Sequence, residues 1–241
     1  MSADATGRRV VVVTGGGGGI GAAIAMELGR RGDHVVTVDP LVSVDGTEQL
    51  GGSEPTTAER IVAAGGSAQT SAASVTDPEA MTLLADELVQ THGRIDAVVN
   101  VAGITRPTGF AKGAEHDWSD VLSVHLDGYR NLLEAVLGHM AAAGRGHVVG
   151  VTSGSGWRAA DAGAYSCAKR SVASLTWQLG RATPPGVAVN AISPIAMTRM
   201  VAAALGRSGA SAAAAAAPGG SSATGGLSLG SMPEPEHLAP R

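Results

Sequence analysis

Val10-Val11-Val12-Val13-Thr14-Gly15-Gly16-Gly17-Gly18-Gly19-Ile20-Gly21 is the stretch on which the reading of this chain turns. Four consecutive β-branched residues without polar alternation predict a strand covered on both faces, as at the centre of a parallel sheet. The glycines predict a turn that side chains would block, with its backbone N–H groups left bare. Ala22 to Arg31 predicts a helix whose N-terminus opens on that turn. Such a place suits a diphosphate. A glycine run alone is often a plain loop; strand, turn and helix in immediate succession make it informative.

The bulk composition narrows the function classes. Hydrophobic residues make up 44% of the 241 and aromatics only 2%, so Val, Ala, Leu and Ile must build the core. A formal charge of −4 with no basic cluster disfavours a nucleic-acid partner. No apolar run approaches the roughly 20 residues of a membrane span, and the first seven residues lack the apolar core of a signal peptide. The single cysteine, Cys167, excludes an internal disulfide. The expectation is a cytoplasmic protein away from membranes. Seven scattered histidines show no zinc motif, and no metal is expected.

Strand and helix signals alternate along the chain. His34 to Asp39 predicts a second strand, with Asp39 placed where an acidic residue would accept hydrogen bonds from an adenosine ribose and repel a 2′-phosphate. The plain alternative is a turn former before Pro40. Residues 41–55 are turn-rich and read as a surface insertion. Helices are predicted over 56–64 and 78–91, a third strand over 67–72, and a fourth over 97–100. Glu115 to Ala143 reads as one long amphipathic helix. A fifth strand at 147–151, a helix over 162–181 and a sixth strand at 187–192 follow. The alternation predicts an α/β fold, a doubly wound parallel sheet in one domain over 1–241. Residues 202–231 are low-complexity Ala, Gly and Ser, read as a flexible flap that orders on ligand binding or as a linker without function.

Tyr165 and Lys169 are four apart on a predicted helix, so they rise from one face. A phenol, with an ordinary pKa of about 10, is a poor acid or base near neutrality. A neighbouring ammonium favours the phenolate and brings the group toward working range. The bland reading is a surface pair.

Taken with these, the ordered set Thr14-Gly15, Gly19-Ile20-Gly21, Asp39, Asn100-x-Ala102-Gly103, Ser153, Tyr165-x-x-x-Lys169 and Asn190-Ala191-Ile192-Ser193-Pro194 resembles the short-chain dehydrogenase/reductase family, in register from Val10 to about Met200. The resemblance implies a Rossmann-type sheet and hydride transfer between a nicotinamide and a secondary alcohol or ketone. It implies that Tyr165 moves the proton of the substrate oxygen while Ser153 holds that oxygen, with Ser155 as the second candidate. Lys169 would bind the nicotinamide ribose. Gly15, Gly19, Ile20 and Gly21 would cradle the diphosphate; Val75, Asn100, Ala102, Gly103, Pro194 and Thr198 would also meet the cofactor. Asp39 points to NAD.

Several positions depart from the family pattern. His125 stands where the family has an asparagine in a proton relay, either relaying protons itself or serving as a buried structural histidine. Ser74 replaces an aspartate before Val75, Ile195 replaces a glycine after Pro194, and Thr198 falls one place early. Residues 118–128, 194–200 and 235–240 are similar to the (3R)-hydroxyacyl-CoA dehydrogenase module of multifunctional enzyme type 2 and its bacterial relatives. That subgroup implies a 3-hydroxyacyl thioester substrate; Arg158, near Trp157, either meets an acyl carrier's phosphate or, as the favoured reading, is a solvated arginine. In the family a helix and a seventh strand follow a segment like 235–240. Neither occurs here, so a sheet lacking its final strand is expected. A homodimer or homotetramer is implied. The alternatives are a catalytically silent NAD-binding or regulatory protein and a 3-oxoacyl-carrier-protein reductase.

Overall fold

The computed structural model describes residues 7–51, 54–106, 115–157 and 163–195. Six strands, β1 (Val10–Thr14), β2 (His34–Val38), β3 (Ser67–Ser71), β4 (Ala97–Asn100), β5 (Gly146–Val151) and β6 (Val187–Ile192), form one sheet in the order β3-β2-β1-β4-β5-β6. Every pairing is parallel. The flanking helices are α1 (Gly19–Arg30), α2 (Thr57–Ala63), α3 (Pro78–His92), α4 (Glu115–Leu122), α5 (Gly128–Ala143) and α6 (Gly163–Ala182). This is the Rossmann-type, doubly wound order, and the chain reverses direction across the sheet between β1 and β4.

β1 is buried at all five positions, as its unbroken apolar run requires. Alternate side chains serve opposite layers. Val10 and Val12 join Leu84 and Leu88 of α3, Val136 of α5 and Val172 of α6. Val11 and Val13 join Ile24 of α1 and Ile61 of α2. Local signals end the helices: Thr56 and Glu59 form a reciprocal cap on α2, Asp77 caps α3 ahead of Pro78, and Gly93 closes α3. Among the described residues no helix is long and apolar enough to cross a membrane.

Two expectations are revised and a third is sharpened. The first helix begins at Gly19 rather than Ala22, because packing at the turn outweighs the poor helix propensity of glycine. The predicted long helix is interrupted: Ser123–Asp127 is a π-helical turn, closed by the Gly128 N–H donating to the Ser123 carbonyl. Gly128 packs against Val75, where a side chain would stand 2.5 Å from Val75 Cγ2. Residues 41–50 lie at the surface as expected, none of them buried, but they are tied down. Val42 and Gln49 pair in antiparallel fashion, the Val44 carbonyl accepts from Thr105 N–H at 3.0 Å, and Gly46 lies on Ile104. The hairpin is thus fastened to the segment that follows β4.

At the opposite edge of the sheet, Asp96 is a buried charge with several partners. It accepts from Val10 N–H at 2.8 Å and pairs with Arg94 at 2.6 Å and Arg145 at 3.4 Å. Burial pushes this carboxyl up, but Arg94 and the Val10 N–H together hold it below the usual carboxylate range. A depressed carboxylate contributes stability above its unfolded pKa, and that contribution is lost as pH falls through the folded value. Asp96→Asn is therefore expected to lower stability at pH 7 by about 2 kcal/mol and to flatten its decline in acid, as measured by denaturant unfolding over pH.

Candidate active site

The predicted residues gather along the carboxyl edge of the sheet, where open α/β folds bind ligands. Gly15 and Asn100 stand at the ends of β1 and β4, Asp39 follows β2, Val75 follows β3, Ser153 follows β5, and Pro194 follows β6. Thr198, Arg158, Arg199, Met200 and the segments 202–231 and 235–240 lie outside the described residues.

The glycine turn is shaped by close approach. Gly15 has φ +68°, and a side chain there would stand 2.8 Å from the Ala102 nitrogen. A side chain on Gly21 would collide with the Gly15 carbonyl, so Gly21 serves packing of helix against turn. The N-terminus of α1 is capped by Gly18 with no side-chain bond, and no acidic residue stands in its first turn. The first-turn N–H groups of Gly19, Ile20 and Gly21 are therefore left for an anion, and the cradle fits a diphosphate. Asp39 closes one side: its carboxylate accepts from Gly17 N–H at 2.9 Å and from Leu41 N–H at 2.8 Å.

The other side is locked by Thr14. Its hydroxyl donates to Asn100 Oδ1 at 3.0 Å and accepts from Ala102 N–H at 3.3 Å, tying the ends of β1 and β4 together. Val75 is held likewise, since its carbonyl accepts from Asn131 Nδ2 at 2.9 Å. The sequence marks Thr14 only as part of the glycine motif and gives Asn131 no role. The available signal for Asn131 was a lone amide beside Leu132 and Leu133 on the core face of α5.

The catalytic candidates converge. Ser153 is hydrogen-bonded to the Tyr165 hydroxyl and accepts from Ser155 Oγ at 3.1 Å, which makes Ser153 rather than Ser155 the tyrosine's partner. Lys169 is buried one helical turn on, its Nζ 6.0 Å from the Tyr165 ring centre and donating to the Val151 carbonyl at 2.9 Å. Thr152 Oγ1 donates to the Lys169 carbonyl at 2.6 Å, fastening α6 to the end of β5. His125, fully buried, meets the Tyr165 ring edge-on with ring centres 5.3 Å apart. Pro194 is half-buried and Ile195 exposed.

The electrostatics differ from the expectation that Lys169 draws the phenol down. Burial pushes the Tyr165 hydroxyl above its usual range, against the pull of the Ser153 bond. Burial also depresses Lys169 to about 8. The ammonium is committed to the Val151 carbonyl, so the protein alone leaves the phenol protonated at neutral pH. A protonated phenol, a hydroxyl and a buried amine beside an anion cradle can hold a substrate oxygen and exchange a proton with it.

A family model described as short chain dehydrogenase matches residues 9–207. The short-chain reductase protein NovJ of Streptomyces niveus is 34% identical over 186 residues, which cover 77% of this chain and 68% of that protein. The peroxisomal multifunctional enzyme A of Dictyostelium discoideum is 32% identical over 196 residues, covering 80% of this chain and 43% of that protein. Among solved structures, a metagenomic short-chain oxidoreductase in complex with NADP aligns with a TM-score of 0.68 at 31% identity, covering 77% of this chain and 81% of the other.

Proposed function

Because this chain belongs to the short-chain dehydrogenase family, whose members bind a nicotinamide cofactor, we propose that it oxidises a secondary alcohol, or reduces the ketone, with NAD. The observation that carries the reading is the Ser153–Tyr165 hydrogen bond beside buried Lys169, on the same sheet edge as the glycine turn. When bound, the nicotinamide supplies the hydride acceptor or donor. Gly15, Gly19, Ile20 and Gly21 would hold the diphosphate, with Asn100, Ala102, Gly103, Val75, Pro194 and Thr198 along the rest of the cofactor. Ser153 would orient the substrate oxygen, and Tyr165 would give it a proton in reduction or take one in oxidation. Lys169 would hold the ribose and, freed from Val151, stabilise the phenolate.

Asp39 supports NAD over NADP. It places a carboxylate beside Gly17, and neither Pro40 nor Leu41 brings a basic side chain to meet a further phosphate. The substrate favoured by the likeness of residues 118–128 to the multifunctional-enzyme module is a 3-hydroxyacyl thioester. Assembly as a homodimer or homotetramer and a cytoplasmic location belong to the same proposal, the first because Trp177 on α6 is 64% exposed, the second because of the single cysteine.

The test is NADH or NADPH formation with a panel of secondary alcohols that includes 3-hydroxyacyl thioesters. Folded protein that turns over none of them with either cofactor sinks the reading, and a preference for NADP overturns the role of Asp39. Asp39→Ala is expected to lower kcat/KM for NAD roughly tenfold and to narrow the NAD/NADP ratio by roughly 10- to 100-fold in steady-state kinetics.

A further inference from the structure

His125 is the residue whose surroundings differ most from a proton carrier's. It lies within the π-helical turn Ser123–Asp127, with none of its surface exposed. Its Nε2 is 2.7 Å from the Ile104 carbonyl. A carbonyl only accepts, so Nε2 must carry the hydrogen and the neutral ring must have its lone pair on Nδ1. Nδ1 has no hydrogen-bond partner among the described protein atoms. The Cε1 edge of the ring lies on Gly103, where any side chain would overlap the imidazole. An edge contact at 86° joins it to Tyr165.

These contacts lead away from proton transfer. A relay must receive a proton at one nitrogen and release one at the other to a group that can take it. Here the release side ends on a backbone amide carbonyl, which passes nothing on. Taking a proton at Nδ1 would also create a second cation near the buried Lys169 ammonium, on a ring with no exposed surface. Burial first, and Lys169 second, depress this imidazole to about 3, against the pull of the Ile104 carbonyl. The ring therefore stays uncharged wherever the protein is folded near neutrality.

We propose that His125 is a positioning residue, held as the neutral Nε2–H tautomer, that braces the Tyr165 ring and pins Gly103–Ile104 without carrying a proton in turnover. The placement connects two ends of the site. Ile104 also supports the 41–50 hairpin through Gly46, and that hairpin starts at Leu41, whose N–H is bound by Asp39. His125 thus sits between the ribose-facing loop and the tyrosine. The inference deepens the dehydrogenase reading and rests on it only for its kinetic part.

The first measurement needs no turnover. In full-length protein labelled with ¹⁵N-histidine, His125 should show one protonated nitrogen, Nε2, with no titration from about pH 5 to about 8. A protonation midpoint in that window, or an Nδ1–H tautomer, overturns the proposal whether or not the protein is a dehydrogenase. The second compares His125→Gln, which keeps a donor for the Ile104 carbonyl, with His125→Phe, which keeps a ring and loses the donor. Expected are a Gln variant within about tenfold of wild-type kcat, a Phe variant at least about 100-fold down, and unchanged limbs in the kcat–pH profile of the Gln variant. Loss of a limb in His125→Gln would mean that the imidazole does carry a proton. Because the spectroscopic result stands without activity, failure of this inference and failure of the dehydrogenase assignment remain separable.

Discussion

Tyr165→Phe is expected to bind NAD as tightly as wild type and to turn substrate over about 1,000-fold more slowly, the scale of a lost general acid–base. The substitution removes one oxygen and leaves the volume unchanged, so the edge contact with His125 persists. What disappears is the hydroxyl on Ser153, the group assigned to the reacting oxygen. Calorimetry with NAD and steady-state assays on the same preparation separate the two effects, and turnover within tenfold of wild type would remove the tyrosine from the mechanism. The pH dependence follows from the upward displacement of the phenol. A raised pKa keeps the proton in place through neutrality, which favours reduction there, while alcohol oxidation should climb as pH moves into the alkaline range.

Lys169→Met should abolish most turnover and yet stabilise the fold. The lysine is buried, and burial alone lowers it from 10.5 to about 8. That displacement corresponds to about 3 kcal/mol of penalty for holding the charged form at pH 7, part of which the Val151 carbonyl does not recover. Methionine fills similar space without a charge. The sign runs with pH. Above the unfolded value of 10.5 the amine is neutral in both states and no penalty exists; it grows as pH falls and is complete below about 8. The stability gap between variant and wild type should thus be widest near pH 7 and shrink through the range from about 8 to about 10.5. Denaturant unfolding at several pH values tests this, and a variant less stable than wild type at pH 7 would show that the lysine serves the fold.

Much of the architecture was readable because burial leaves a plain signature. The all-apolar run Val10–Val13 can sit only where both sheet faces are covered, and that placed β1 at the centre beside β2 and β4. Asp77-Pro78 opened α3 as expected, since cap and first-turn preferences act within a few residues. The pairing of Tyr165 with Lys169 was legible for a similar reason: a four-residue spacing puts them on one side of α6 wherever that helix packs.

Other features had no local signature. A single extra residue shifts the apolar phase by one position, too small a step to read within one helix of dense apolar residues, so the π-helical stretch at Ser123–Asp127 stayed invisible. The sites of Thr14 and Asn131 depend on partners 86 and 56 residues away, respectively. Likewise the 41–50 hairpin is composed like a surface loop, and its contacts with Ile104 and Thr105 are what tie it to the segment after β4.

By itself, then, the order of residues determined the strand–turn–helix at the start, the alternation that makes a parallel sheet, and which side chains stand together as catalytic candidates, because each depends on short-range spacing or on hydrophobicity. The tertiary structure alone decided which charge state those side chains prefer. Lys169 is pushed toward neutrality, Tyr165 toward retaining its proton, and His125 into one uncharged tautomer, because ionisation answers to desolvation and to partners brought together from distant parts of the chain.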